Sequence, residues 1–122
     1  MLGQIGSSAG LSNGDEMIVL FFWDRTSDLV LDIDYVVYGN TSDAADKSGI
    51  MSGASTYADD VSTSLQSVAL APGFRLSCAR IDNSEGTEDK APVGGGNGFL
   101  GHNEMSENLS TTWVVGTPTP GT

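Results

Sequence analysis

The only histidine of the chain lies in a glycine-rich segment together with two glutamates. This segment runs from Gly94 to Glu107, and its second half contains His102, Glu104 and Glu107. Imidazole and carboxylate groups bind divalent cations, so these three side chains are the candidate metal ligands of the sequence. Further carboxylates precede them in the same long loop, at Asp82, Glu85, Glu88 and Asp89. If a cation binds here, this supply of oxygen ligands favours calcium.

A structural role for the glycine-rich segment is the leading interpretation, and under it the protein needs no cofactor. Glycine supplies unusual backbone φ angles, and Asn, Ser and Glu side chains bond the backbone of their own loop. Zinc is a weaker alternative, because a single histidine without a useful thiol is only the start of a ligand set. A phosphate site is disfavoured, since the glycines do not connect a strand to a helix and no lysine is placed to help.

Paired carboxylates occur twice and raise the question of acid–base catalysis. Asp32 and Asp34 share one face of a predicted strand, roughly 7 Å apart, and Asp59 and Asp60 are adjacent. The chain offers no Ser, His and Asp in triad order and no second histidine, so nucleophilic catalysis lacks an obvious base. We therefore expect a protein that is not an enzyme, with Asp32 and Asp34 on the solvated face of their strand.

The charge of the chain restricts its partners. Its 122 residues include 16 acidic and 5 basic side chains, which gives a net charge of -11. Such a chain repels a phosphate backbone, so we expect no nucleic-acid partner. No apolar run approaches the roughly 18 residues that span a bilayer, so we expect no membrane span. The first residues lack a signal-peptide pattern, so any secretion signal is expected outside this chain.

Two β-strands in the first third of the chain are the clearest structural features. Met17–Trp23 is apolar on both alternating faces, which is typical of a central strand covered on two sides. Leu29–Gly39 alternates apolar and acidic residues from Leu31 onward, which predicts an antiparallel partner with one wet face. Both strands indicate a β-rich protein, and the length of the chain, residues 1–122, indicates a single domain.

The remaining elements are weaker. Strands are predicted at 74–81 and 113–115, and a short helix near 59–70. A long polar, glycine-rich loop separates residues 81 and 113. Two prolines then end the last strand and mark 117–122 as an extended terminus, because proline cannot donate to a strand ladder.

These strands are too few for a self-sufficient sandwich, which commonly uses about seven. A strand that is apolar on both faces requires neighbours on both sides, and an open edge is a template for another strand. We therefore expect the sheet to be completed by strand addition, from an identical neighbour or from an upstream segment. The terminal segments Met1–Ser12 and Thr117–Thr122 are the donors least committed to the core.

A series of motifs runs through nearly the whole chain. In order they are GLSNGDEMIVLF, DLVLDIDYVVYG, DKSG, FRLSCARID, EGTE, GGNGFLGHNEMSENLSTTW and GTPTPG. This series resembles the bacterial lamin-tail-domain family from about Ser8 to Gly121, most specifically from Phe74 onward. The upstream strands that family members carry do not appear, so the resemblance implies the C-terminal portion of such a domain.

The resemblance implies an all-β, immunoglobulin-like sandwich of lamin-tail type, incomplete in this chain, and an extracellular or cell-surface location. Together with the missing strands, it suggests a non-catalytic binding and assembly module that forms a homo-oligomer or filament by strand exchange. Two alternatives stay open. One is an accessory targeting domain of a larger secreted hydrolase or nuclease, and the other is a calcium-stabilised carbohydrate-binding module.

The acidic balance generates a first prediction. Because a net charge of -11 on one small domain is self-repelling, screening by salt should stabilise the folded state. We expect the melting temperature to rise between about 20 and about 300 mM NaCl, as followed by circular dichroism. A melting temperature that falls steadily over this range would instead show that attractive ion pairs dominate the electrostatics of folding.

Overall fold

The computed structural model describes residues 10–84, 86–90 and 95–119, and these residues form mainly short strands. In chain order the elements are β1 (Glu16–Phe22), β2 (Leu31–Tyr38), β3 (Met51–Ser52), β4 (Ser55–Thr56), β5 (Ser77–Arg80), β6 (Asp89–Lys90), β7 (His102–Asn103), α1 (Leu109–Thr112) and β8 (Trp113–Gly116). They pair antiparallel as β1–β2, β3–β4, β5–β8 and β6–β7. The predicted β-rich class is confirmed, and every sheet of the described residues has two strands.

Strand β2 carries a bulge that changes which of its side chains face inward. Asp34 lies opposite Leu20 and Asp32 lies opposite Phe21, so Ile33 has no partner on β1. An extra residue reverses the alternation of side chains beyond it. Asp32 is consequently buried, with 3% of its surface exposed. The prediction of a solvated face for this residue is wrong, because simple alternation does not reveal a bulge.

The apolar core is small and includes one face of the β1–β2 ribbon. Its buried members are Tyr35, Val37, Tyr38, Ala69, Met105 and Leu109. The Tyr35 hydroxyl donates to Met105 O at 3.1 Å and so joins β2 to the turn that follows β7. Polar groups are also buried, namely Asp32, Gln66, Glu88, Asn97, Asn103, Glu104, Glu107 and Thr112. The interior therefore depends on hydrogen bonds and charge pairs as well as on apolar packing.

Lys47 forms a buried ionic bridge between two carboxylates. Its Nζ lies 2.8 Å from Asp32 Oδ2 and 2.8 Å from Asp60 Oδ2. Burial acts to lower the pKa of Lys47, but its bonds to the two carboxylates outweigh burial and raise that pKa above 10.5. The stabilisation from this lysine is thus complete below pH 10.5 and is lost as pH rises through the raised pKa. Burial also raises the pKa of Asp32, against the opposing effect of Lys47.

Arg80 forms a second charged bridge, to a residue of β2 only two positions beyond Asp32. Its two terminal nitrogens donate to the carboxylate of Glu107 at 2.6 and 3.0 Å, a bidentate pair, and one of them also donates to Asp34. The guanidinium carbon lies 5.2 Å from the centroid of the Trp113 ring. Arg80 therefore ties β5 to β2, to β8 and to the segment just before α1.

The segment 59–70 contains a turn and an isolated bridge instead of the predicted helix. Ala69 N donates to Val37 O at 2.9 Å, and Ala69 O accepts from Gly39 N at 2.9 Å, so this stretch runs beside the end of β2. The buried side chain of Gln66 donates to backbone carbonyls at 2.7 and 2.9 Å. The serine and threonine residues of the segment 59–70 have weak helix propensity. The segment therefore pairs with the end of β2 and does not form a helix.

Other predicted boundaries also shift. The strand predicted at 74–81 is reduced to β5, because Arg75 has a φ of 63° and Leu76 N bonds Gly73 O in a turn. The long loop predicted between 81 and 113 contains β6, β7 and α1. Strand β8 ends at Gly116, before Pro118, and 117–119 have no regular structure. The expectations for Met1–Ala9 and for 120–122 lie outside the described residues.

The Lys47 bridge generates a second prediction. The substitution Lys47→Met leaves two buried carboxylates without their cation, and we expect it to lower the free energy of unfolding by about 3–5 kcal/mol near neutral pH. The loss should shrink toward pH 4, because protonation removes the unpaired charges. Urea denaturation at both pH values measures this difference.

The matched control is Arg25→Met, which removes one positive charge from an exposed residue. It should cost less than about 1 kcal/mol. Equal losses in the two variants, or a Lys47→Met loss that does not depend on pH, would contradict a stabilising role for the buried bridge.

Candidate metal centre

The pairing of β6 with β7 brings residues from two parts of the long loop together. In this short ladder Asp89 lies opposite Asn103, and Lys90 lies opposite His102. Glu88, the residue before β6, consequently lies beside His102, and its Oε2 is 3.1 Å from His102 Nδ1. The contact joins residues 14 apart in the sequence.

Glu88, His102 and Glu104 form a compact group of possible metal ligands. One ligand atom from each of the three residues lies within 4.8 Å of the other two. Glu88 is 8% exposed and Glu104 is 4% exposed, while His102 is partly buried. The three side chains are therefore largely shielded from solvent. The described residues can therefore hold a metal ion in principle.

Only two of the three predicted ligands belong to this group. Glu107 is buried, but its carboxylate faces Arg80 in the bidentate pair and is not part of the group. Glu88 takes the third position, and sequence reasoning placed it only among the acidic residues that precede the segment. No periodic pattern marks it, because the pairing that positions it is two residues long.

Among the residues that the structure describes, the other acidic residues of the loop do not join this group. Asp82 is exposed, and its Oδ1 accepts a hydrogen bond from Ser84 N at 2.9 Å. The side chain of Ser84 and then its backbone N–H lower the pKa of Asp82. Asp89 is also exposed. Glu85 lies outside the described residues. Of the described acidic residues that precede the glycine-rich segment, Glu88 alone joins the group with His102 and Glu104.

Gly98 is required for close approach of the chain to itself. Its N donates to His102 O at 2.8 Å, and its φ is −74°, so this position does not require glycine for its backbone conformation. A Cβ on Gly98 would lie 2.5 Å from Glu104 Oε1 and 2.6 Å from His102 O. Positive φ angles occur instead at Leu100, with 59°, and at Gly101, with 79°. Glycine therefore serves two purposes in this segment: the absence of a side chain allows close approach at Gly98, and backbone freedom allows the positive φ at Gly101.

Polar side chains fasten the same segment to the rest of the fold. Asn97 Oδ1 accepts from Ala58 N at 2.6 Å, and Asn97 Nδ2 donates to Asp60 Oδ1 at 3.1 Å. Asn97 O accepts from Asp32 N at 3.2 Å. Ser106 Oγ donates to Asn103 O at 2.6 Å. The segment is thus an ordered excursion held by its own polar groups, and it connects directly to the Lys47 bridge through Asp60.

Comparison of the chain with protein-family models, with curated proteins and with solved structures gives no match. The lamin-tail resemblance accordingly stays a prediction drawn from the motifs. Within the part of the chain that the structure describes, no helix is long and apolar enough to cross a membrane.

The packing around Gly98 generates a third prediction. We expect Gly98→Ala to lower the free energy of unfolding by about 1–3 kcal/mol, because the added methyl group meets a backbone carbonyl that cannot move freely. Urea denaturation measures the change. Gly116→Ala is the control, since a Cβ at Gly116 meets no heavy atom within 4 Å. A Gly98→Ala protein as stable as the Gly116→Ala protein would show that the segment relaxes without cost.

Proposed function

We propose that the chain is a non-catalytic binding and assembly module whose strand β1 pairs with β1 of a second copy. The observation that carries the proposal is the state of β1. Within the described residues it has one hydrogen-bonded neighbour, β2, and most of its apolar side chains remain exposed. A strand with this composition was expected at the centre of a sheet.

The exposed surface of β1 is large for a strand that stays in water. Its exposed apolar residues, with the adjacent Trp23, are Ile18 at 40%, Leu20 at 58%, Phe21 at 39%, Phe22 at 55% and Trp23 at 50%. Full burial of one such side chain stabilises by about 1.5–3 kcal/mol. Proteins commonly protect an edge strand with lysine, proline or a bulge that twists it away. Strand β1 contains neither lysine nor proline, and the unpaired residue of its bulge belongs to β2.

An identical strand fits this edge with favourable chemistry. In an antiparallel pair centred on Val19, Glu16 of one copy lies opposite Phe22 of the other, and Ile18 lies opposite Leu20. Glu16 is the only charged residue of the strand, so like charges are not placed opposite each other. Such a contact has two-fold symmetry and closes as a dimer with a four-stranded sheet. The net charge of -11 on each copy opposes the contact and makes it dependent on salt.

The remaining parts of the proposal rest on the motif resemblance. These parts are an immunoglobulin-like sandwich of lamin-tail type and an extracellular or cell-surface location. Strand addition across β1 agrees with the proposed sandwich, because it would turn a two-stranded ribbon into a larger sheet of the kind that a sandwich requires. The alternative is that an upstream segment of a longer protein pairs with the same edge of β1. In that case this chain is an accessory domain.

Oligomeric state and its dependence on β1 test the proposal. Light scattering after size exclusion should give a dimer at micromolar concentration, with a dimer fraction that rises from about 20 to about 300 mM NaCl. Leu20→Lys should give a monomer, because it places a charge opposite the apolar side chain of Ile18 in the second copy. Leu65→Lys is the matched control at another exposed leucine and should stay dimeric.

Two outcomes would count against pairing through β1. One is a monodisperse, cooperatively folding monomer at every salt concentration, which would leave the edge to an upstream segment. The other is a dimer that persists unchanged in the Leu20→Lys protein, which would place the interface elsewhere.

A further inference from the structure

We propose that Glu88, His102 and Glu104 bind a first-row transition metal ion, for which Zn²⁺ is the probe, and leave at least one coordination position open. This site goes beyond the assembly function and does not depend on strand β1. It differs from the calcium site expected from the acidic loop in its ligands, since Glu88 replaces Glu107, and in its ion.

The spacing of the three residues suits one small ion. Ligand atoms that share a tetrahedral zinc ion at about 2.0–2.2 Å lie roughly 3.3–3.6 Å from one another. Glu88 Oε2 and His102 Nδ1 are already 3.1 Å apart, and the third ligand atom completes a group within 4.8 Å. Side-chain rotations that move the ligand atoms by about an ångström would bring them to coordination distance. Such rotations need no movement of the backbone.

The ligand types select the class of ion. Calcium takes about 6–8 oxygen ligands and magnesium about six, and neither ion favours imidazole. The group supplies one imidazole and two carboxylates, a set that suits zinc, iron or manganese better than calcium. Three protein ligands around a zinc ion leave the fourth position to water or to another small ligand.

The surrounding structure holds the ligands before any ion binds. Glu88 and Glu104 are more than nine-tenths buried, so each carboxylate has limited freedom. Glu104 packs against the Cα of Gly98, and the backbone of His102 bonds Gly98 N at 2.8 Å. Gly98 also forms a bridge with Asp32 of β2, so the site is anchored to the longest ribbon of the fold. A preorganised site binds more tightly because less conformational freedom is lost on binding.

Titration of the purified, tag-free chain with Zn²⁺ after chelator treatment tests the site. Isothermal titration should give one ion per chain, and the melting temperature should rise with Zn²⁺, since an ion that binds the folded state stabilises it. The experiment is done on the Cys78→Ser background, because the single thiol of the chain is a competing zinc ligand. Ca²⁺ in the same titration is expected to bind at least tenfold more weakly.

Variants assign the ligands. Glu88→Gln, His102→Ala and Glu104→Gln should each weaken Zn²⁺ binding at least tenfold. Asp89→Asn is the matched control, an exposed carboxylate of the same hairpin, and should leave the affinity unchanged. Circular dichroism without metal establishes that each variant is folded. Unchanged affinity in the first three variants, or equal weakening in Asp89→Asn, would overturn the assignment.

Nuclear magnetic resonance gives a readout that needs no ligand variant. His102 is the only histidine, so the imidazole signals of the protein belong to a single residue. Zn²⁺ at one equivalent should shift these signals strongly in the Cys78→Ser protein, whereas Ca²⁺ should not. Imidazole signals that stay in place at saturating Zn²⁺, or binding in which Ca²⁺ displaces Zn²⁺ at equal concentration, would refute the proposed site.

Discussion

The placement of two cations between carboxylates is the constraint on which the rest of this structure depends. Lys47 joins Asp32 to Asp60, and Arg80 joins Asp34 to Glu107. The apolar core has few buried members, and Asp32 and Asp34 both belong to strand β2. Each cation therefore sets where another segment lies relative to β2. Desolvation offsets much of the attraction within a buried charge pair, whereas removal of one partner leaves the other charge uncompensated.

The same pairing divides the carboxylates of the long loop between two roles. Glu107 is committed to Arg80, so it holds the start of α1 against β5 and is not available as a ligand. Asp60 is bonded by Lys47 and by Asn97, which positions the start of the glycine-rich segment. The group formed by Glu88, His102 and Glu104 depends on a different contact, the pairing of β6 with β7.

A small core on one side of a ribbon also explains the exposed side of β1. Met17 and Val19 pack on the buried cluster, whereas Ile18, Leu20 and Phe22 have no comparable cover among the described residues. The apolar residues of the strand thus exceed what the described chain can bury. An edge with this excess has a physical reason to accept another strand, because pairing satisfies the open backbone groups and covers the side chains together.

The sequence by itself determined the strand character of the chain and the residue types in its loop that could bind a cation. Met17–Trp23 and Leu29–Gly39 predicted β1 and β2 to within about two residues at each end, because apolar patterning is a local property of the chain. The types of His102 and Glu104 already indicated cation chemistry. Only the tertiary structure decided the bulge at Ile33, the burial of Asp32 and the grouping of Glu88, instead of Glu107, with His102 and Glu104. Each depends on contacts between segments that are distant in the sequence, such as Arg80 with Asp34 across 46 residues. No local sequence pattern indicates which carboxylate a basic side chain will pair with.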